Sequence, residues 1–441
     1  MSRRPTASRS PTRWLAMALV FGGALASRKA MAQVGGDDVP RQRTIPAREQ
    51  LEAEIESSRY HLGPFFIHPV FQIRALGYDN NVFGVPEVGA RAVSDWTGDI
   101  FGGVRLLQRL GSRMYIRAEA LPEYTWYLHL SQRRALGGYY GASWIGVFNK
   151  VSFDANGSTN RSTAILSADT LALTSESLRV ASAGAEVEVG GPLAVFARAG
   201  TQERRYFTDA ETPAEIQNAS DLNRREDVGR VGLRLRVRRN LDVSALVEQT
   251  RVRFEAAARA AAGDNESTGY LVGLGYSAPR FFLHLSGGYR KGHGVSGSTF
   301  PDYSTTTGSY FASYFILKRL EIQAYGFRGT SYGLTSENPY FFSTSNGGGV
   351  NLGIGQRLTL RGYGEFGIND FPVPVVLPGG GSVVRKDKTA SYGGGFTYAF
   401  LKQASLTALA SEVKLDSNVP GQSRTVTRIT TTINLSGDFS R

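Results

Sequence analysis

The stretch Arg230-Val231-Gly232-Leu233-Arg234-Leu235-Arg236-Val237-Arg238-Arg239-Asn240-Leu241 decides how this chain folds. Val231, Leu233, Leu235 and Val237 alternate with Gly232, Arg234, Arg236 and Arg238, and only an extended strand sorts such residues onto opposite faces. A helix would spread the same arginines around its circumference. One face is therefore aliphatic and the other carries a ladder of three arginines. Arg239-Asn240 then breaks the pattern with a polar turn. Soluble sheets alternate as well, so the solvent of the apolar face has to be read from the rest of the chain.

Turns of this kind recur, centred near Gly111, Lys150, Gly191, Asn240, Pro279, Lys318, Gln356 and Gln403, at intervals of 39, 41, 49, 39, 39, 38 and 47 residues. The flanking text repeats too, as in Leu317-Lys318-Arg319-Leu320 and Gln356-Arg357-Leu358. A repeat near 40 residues is compatible with propeller blades, but blades need four short strands each. Here each repeat holds two alternating stretches of about ten residues, the length a tilted strand needs to cross a bilayer, with one short turn and one long loop. Leu193 to Arg204 and Leu358 to Phe366 show the same parity as the opening stretch. Almost no strand is apolar on both faces, so a soluble sandwich would have little to bury. In a bilayer the apolar face has its solvent and the charged face lines water.

Eight turns imply sixteen strands, and Phe65 to Tyr78 with Arg424 to Leu435 add a first and a last. The expectation is all-β, a transmembrane antiparallel up-and-down β-barrel of about 18 strands spanning 65–441, with short periplasmic turns and long extracellular loops. Sixteen strands would also satisfy the pattern. Val247 to Phe254 changes parity as if bulged, and Tyr310 to Leu317 is apolar on both faces. Trp96, Tyr124, Trp126, Tyr139, Tyr140, Trp144, Phe281, Tyr310, Phe341, Phe342, Tyr398 and Phe400 fall near strand ends, where aromatic girdles form.

Composition agrees. Gly accounts for 52 of 441 residues, above the usual ~7%, and aromatics for 11%, which suits many strands and turns. The absence of Cys excludes disulfides, thiolate metal sites, a thiol nucleophile and a lipidated Cys anchor. Arg3, Arg4, Arg9 and Arg13 precede the apolar run Trp14 to Ala26, with small-residue exits at Ala24-Leu25-Ala26 and Ala30-Met31-Ala32. That is the anatomy of a signal peptide over 1–32, the apolar run being too short for a bilayer of ~30 Å. Its removal takes six basic and no acidic residues from a net charge of +12, leaving +6, so nucleic acid is a poor inference from the basic pI. Residues 33–64 read as a periplasmic segment. Pro46 to Ser58 forms a short helix with Leu51 and Ile55 on one face and Glu49, Glu52, Glu54 and Glu56 around the other. A surface helix is the plain reading, and a plug or partner-docking helix the alternative.

Gly77-Tyr78-Asp79-Asn80-Asn81-Val82-Phe83, followed by Ser94-Asp95-Trp96, resembles an element of the beta-barrel porin type 2 family, outer-membrane proteins associated with exopolysaccharide clusters. The likeness covers about twenty residues. It implies a barrel in a polysaccharide-linked envelope context and supplies no catalytic residues. Asp and Asn also fold turns through side-chain bonds to nearby backbone, so Tyr78, Asp79, Asn80, Asn81, Phe83, Ser94 and Asp95 have a loop-folding reading of their own.

Chemistry is sparse. None of His61, His68, His129, His284 or His293 stands at triad or metal spacing, and no Gly-x-Ser-x-Gly or phosphate loop occurs, so the chain reads as no enzyme, without metal or cofactor. Lumen parity instead collects Arg74, Arg105, Arg117, Arg198, Arg204, Arg234, Arg236, Arg238, Arg290 and Arg361, with Glu119, Glu186, Glu188, Glu321 and Glu365 among them. Such residues either pair across strands or bias the bore toward anions. The loop from Asp370 to Lys388, with Pro372, Pro374 and Pro378, is a candidate constriction, a solvent-exposed loop being the default. Phe439 stands where barrel-assembly machinery reads a terminal aromatic, shifted two residues from the end. The expected role is a porin-like channel in the outer membrane for small hydrophilic or anionic solutes, or for passage of a polysaccharide. The alternatives are a closed partner of polysaccharide export components and, last, a barrel hydrolase.

Overall fold

The computed structural model describes residues 51–436, except 53, 57, 59, 87–90, 318, 336, 378–379 and 402–403. The segment 1–32, the start of the helix expected from Pro46, Pro378 and Phe439 lie outside the described residues.

After a short strand β1 (Tyr60–Leu62) come eighteen long ones. They are β2 (Phe65–Asp79), β3 (Asp95–Leu110), β4 (Met114–Tyr127), β5 (Ala135–Val147), β6 (Val151–Ile165), β7 (Leu173–Gly190), β8 (Leu193–Phe207), β9 (Arg224–Arg238) and β10 (Leu241–Phe254). The second half has β11 (Asn265–Ser277), β12 (Phe281–Gly294), β13 (Tyr303–Ile316), β14 (Leu320–Ser331), β15 (Phe341–Ile354), β16 (Leu358–Val376), β17 (Ser382–Ala399), β18 (Ala404–Ser417) and β19 (Arg424–Ser436). Each pairs antiparallel with its neighbour in sequence, and β19 pairs with β2, so the sheet closes on itself. Each of the eight expected turn positions falls between two consecutive strands, Lys318 and Gln403 themselves lying outside the described residues, and the count of long strands is 18. Closure removes every edge, the condition for backbone to survive in lipid.

Local chemistry accounts for the corners. Gly191 turns with φ 56° between β7 and β8, a value that L side chains resist. At the seam, β19 shifts register against β2 between Thr431 and Ile433, opposite Leu76 and Ile73, where Ala75 stands at φ 50°. There a Cβ on Gly77 would fall 1.8 Å from the Ile429 carbonyl oxygen, so only glycine lets β2 and β19 meet.

The two faces differ as the parity demands. Val231, Leu233 and Val272 are 59%, 49% and 63% exposed on the outside, whereas inward residues such as Arg230, Arg234 and Glu248 form ion pairs with nearby strands along the inner wall. Tyr139 and Phe341 leave the expected girdle. Tyr140, beside Tyr139, is the exposed one, and Phe341 is fully buried, stacked 4.8 Å from Phe371. The bulge expected within Val247 to Phe254 is absent, for β10 pairs without a register shift from Asp242 to Phe254. The apparent change of parity arises because Val252 and Phe254 face inward and bury under the loops.

Candidate functional site

The inner wall is a lattice of ion pairs. Arg74 bonds Glu123 and lies over the Phe101 ring at 4.2 Å. Arg105 and Arg117 reach Glu119 at 3.4 and 2.9 Å. Arg198 pairs with Asp154 at 2.6 Å, and Arg204 with Glu176 at 3.0 Å. Arg290 and Arg230 share Glu248. Arg361 and Glu365 hold the inner face of β16, with Arg361 donating to the Thr397 hydroxyl at 3.4 Å, and Glu321 accepts from Asn351 at 2.9 Å. Arg230, Arg224 and Glu248 were missed as wall residues in the sequence. The inward register of Arg234 continues in steps of two back to Arg230 and Arg224, four and ten residues earlier, and across the turn to Glu248, which faces Arg230.

At the turn end the wall opens into a recess of 310 Å³ lined by Glu186, Glu188, Arg234, Arg236, Arg238 and Arg239. Glu186 reaches Arg234 at 2.5 Å, while Glu188 stands 3.7 Å from Arg236. Four arginines against two glutamates leave this recess cationic.

The same end holds the N-terminal segment. Residues 51–52 and 54–56 are helical, with Leu51 buried against Leu107 and Tyr115. Glu52 accepts from the Tyr115 hydroxyl at 2.6 Å and meets Arg109 at 3.4 Å, and Glu54 meets Arg117 at 3.2 Å. Leu107, Tyr115 and Arg117 share the inward register of β3 and β4. A surface helix is thereby corrected: its acidic face is drawn to the basic wall and its apolar face to the two inward apolar side chains.

At the other end the loops fold together over the mouth. Phe83 and Val85 (between β2 and β3), Leu166 and Ala172 (β6–β7), and Ile216, Ala219 and Leu222 (β8–β9) bury with Tyr206, Val252 and Phe254 of the wall. The β6–β7 loop reaches across the lumen, for Ala168 packs on Phe341 and Phe371, and Leu171 on Leu415 and Val426. Buried guanidiniums pin the cluster. Arg424 donates to the carbonyls of Thr170 at 2.8 Å and Gly84 at 3.0 Å. Arg259, on the short helix Ala257–Gly263, donates to those of Thr335, Gly333 and Pro339. Burial, then the charge of Arg224, pull the Arg259 pKa down to about 10, which still leaves it protonated at neutral pH.

The described part of the Asp370 to Lys388 segment follows the solvent-exposed default and not the constriction. Pro372 and Pro374 lie on β16, exposed, and β16 resumes its pairing with β17 at Pro374 after a register shift from Asp370. The hairpin is therefore a continuation of the β16–β17 ladder, while Ala168 and Leu171 of the β6–β7 loop pack inside the mouth.

The motif residues fold the first loop. Asp79 accepts the Asn81 amide at 2.8 Å and pairs with Arg428 at 2.6 Å. Asn80 accepts the Thr427 amide at 2.7 Å, and Asn81 bonds both backbone groups of Val85 at 3.0 Å. Asp95 accepts the amides of Trp96, His129 and Leu130. Tyr78 faces out beside Trp96, Phe83 is buried in the loop core, and Ser94 is exposed. Among the described residues no group of three His, Asp or Glu is placed to hold a metal ion.

No family model matches the chain, and no curated protein is significantly similar to it in sequence. The resemblance carried by Tyr78 to Asp95 therefore stays at the level of those residues. Among solved structures the fold is similar to OccK2 (OpdF) of Pseudomonas aeruginosa, solved in complex with glucuronate. The identity is 13% and the TM-score 0.50 over 84% of this chain and 98% of that one. A BenF-like porin from Pseudomonas fluorescens Pf-5 is 10% identical with a TM-score of 0.50, over 85% and 99%. The likeness is one of fold: an outer-membrane porin type of barrel.

Proposed function

We propose that the protein is a porin-like channel of the outer membrane, exported by its signal peptide, that admits small hydrophilic anions. Its tight turns then face the periplasm and its long loops the exterior. The observation that carries this reading is the recess at the turn end, where Arg234, Arg236, Arg238 and Arg239 outnumber Glu186 and Glu188. A cationic stretch between low-dielectric walls raises the local concentration of anions. The inward ladder is also forced, since arginine on the lipid face costs about 2–4 kcal/mol at the midplane.

Reversal potentials across a planar bilayer in a KCl gradient test it, with glucuronate as a carboxylate probe. Wild type is expected to prefer anions, and changing Arg234, Arg236 and Arg238 to Ser should lower that preference while heat-modifiable gel migration persists. An open channel with unchanged selectivity would reduce the ladder to wall pairing.

A second reading, a closed barrel serving as an assembly partner in polysaccharide secretion, is favoured by the apolar loop core over the mouth. Bilayers without conductance steps would select it. Passage of a polysaccharide, implied by the Tyr78 motif, draws no support from the structural neighbours.

A further inference from the structure

The outer face is not uniform at its loop end. On β4 that level carries Tyr124 and Trp126, and on β3 Trp96, the aromatic rim usual for a membrane barrel. On β7 to β10 the same outward register carries Arg179, Arg205, Arg225, Arg251 and Arg253 instead. Alternation settles their facing, because the neighbouring Arg204 and Tyr206 point inward and Tyr206 buries in the loop core.

Four carboxylates interleave with these arginines. Glu203 meets Arg205 at 2.6 Å and Arg179 at 3.7 Å, and Glu255 also reaches Arg205 at 3.0 Å. Asp227 meets Arg225 at 2.9 Å and Glu266 meets Arg251 at 2.8 Å. Arg161 adds a cation at the patch edge, 4.7 Å over the Phe207 ring. Six guanidiniums thus face four acids. Arg225 stands directly opposite Arg253 in the β9–β10 register, a like-charge pairing that Asp227, bonded to Arg225 and within reach of the Arg253 charge, answers with a single carboxylate. The Arg179 and Arg225 side chains are 61% and 59% exposed. Immediately toward the turns the same face becomes aliphatic, with Val231 and Leu233 on β9 and Val247 on β10. The guanidiniums therefore stand at the upper rim of the hydrocarbon-facing band, where lipid headgroups lie.

Guanidinium forks match phosphate oxygens in pairs. A second copy of the chain fits less well, because a two-fold contact would set this net positive patch against itself. We propose that the outward patch on β7 to β10 binds the phosphate groups of a phosphorylated glycolipid in the loop-side leaflet. The proposal rests on the outer-membrane reading above, in which that leaflet is the exterior one.

The test is native mass spectrometry of the mature protein in non-ionic detergent, titrated with bisphosphorylated lipid A, its monophosphorylated form and phosphatidylethanolamine. Wild type should bind them in that order of decreasing affinity. The variant Arg179→Gln/Arg225→Gln/Arg253→Gln should bind bisphosphorylated lipid A about tenfold more weakly or worse, and Lys386→Gln/Lys388→Gln on β17 should bind as wild type does. Should the triple variant fail to assemble, Arg253→Gln alone is expected to weaken binding in the same direction. Equal binding by wild type and variant, equal affinity for phosphatidylethanolamine, or loss of an oligomer in place of lipid overturns the proposal. Binding is read without current, so a silent channel that retains lipid counts against the channel alone, and an open channel that ignores lipid A counts against this patch alone.

Discussion

Glu248 stands between Arg230 and Arg290 on the inner wall with its side chain only 7% exposed. This one carboxylate answers both guanidiniums. Glu248→Ala would leave two cations facing each other across β10 and β11, and stability should fall by about 1–3 kcal/mol. The check is urea unfolding in detergent followed by tryptophan fluorescence. The same change removes a negative charge from the bore, so anion preference should rise. A variant that is destabilised without any shift in reversal potential would place Glu248 outside the conducting path. Arg424 acts at the same scale on the loops. Replacing it with Ala abandons the carbonyls of Thr170 and Gly84, and hydrogen exchange in 166–172 should quicken while the strands stay protected. Unchanged exchange there would show that apolar contact alone seats the loop.

Among the elements, the β6–β7 loop and the N-terminal helical segment approach the lumen from opposite ends. Leu171, buried on Leu415 and Val426 with φ 54°, is the tip of the first. Leu171→Asp would place a charge among aliphatic side chains, and the loop should leave the wall with a rise in single-channel conductance. Identical conductance would sink its role as a constriction. For the second, reversing Glu52 and Glu54 to Lys would set cations against Arg109 and Arg117. The segment should then detach, read as proteolysis near the N-terminus at lower protease concentration. The sequence offers the second as a plug only as the alternative to a surface helix and does not offer the first at all, and the reason is physical. Strand parity and turn chemistry are local, so Gly111 or Asn240 announces a turn from its neighbours alone. The loop core instead assembles Phe83, Leu166, Leu222 and Phe254 from four separate places in the chain, and each in isolation is an ordinary apolar loop or strand-end residue. The inner arginines were readable because period two assigns their face, but their partners were not. Only register shows that Arg198 meets Asp154, two strands away.

For the molecule as a whole, circular dichroism in detergent should be dominated by β-structure, and the folded protein should migrate anomalously until heated; a substantially helical spectrum would overturn the fold. The seam between β2 and β19 has a further consequence, for kinetics. Asp79 and Arg428 meet there across 349 positions of chain, whereas most other strand pairs form between immediate neighbours in sequence. Ordering β2 to β18 early therefore earns no closure, and the slow, long-range step comes last. Until then the nascent sheet carries two unsatisfied edges, each a template for any passing strand. The unfolded chain thus needs an escort that shields those edges in transit, and a chain cut before β19 should precipitate as fibrous or amorphous aggregate rather than settle as a narrower barrel.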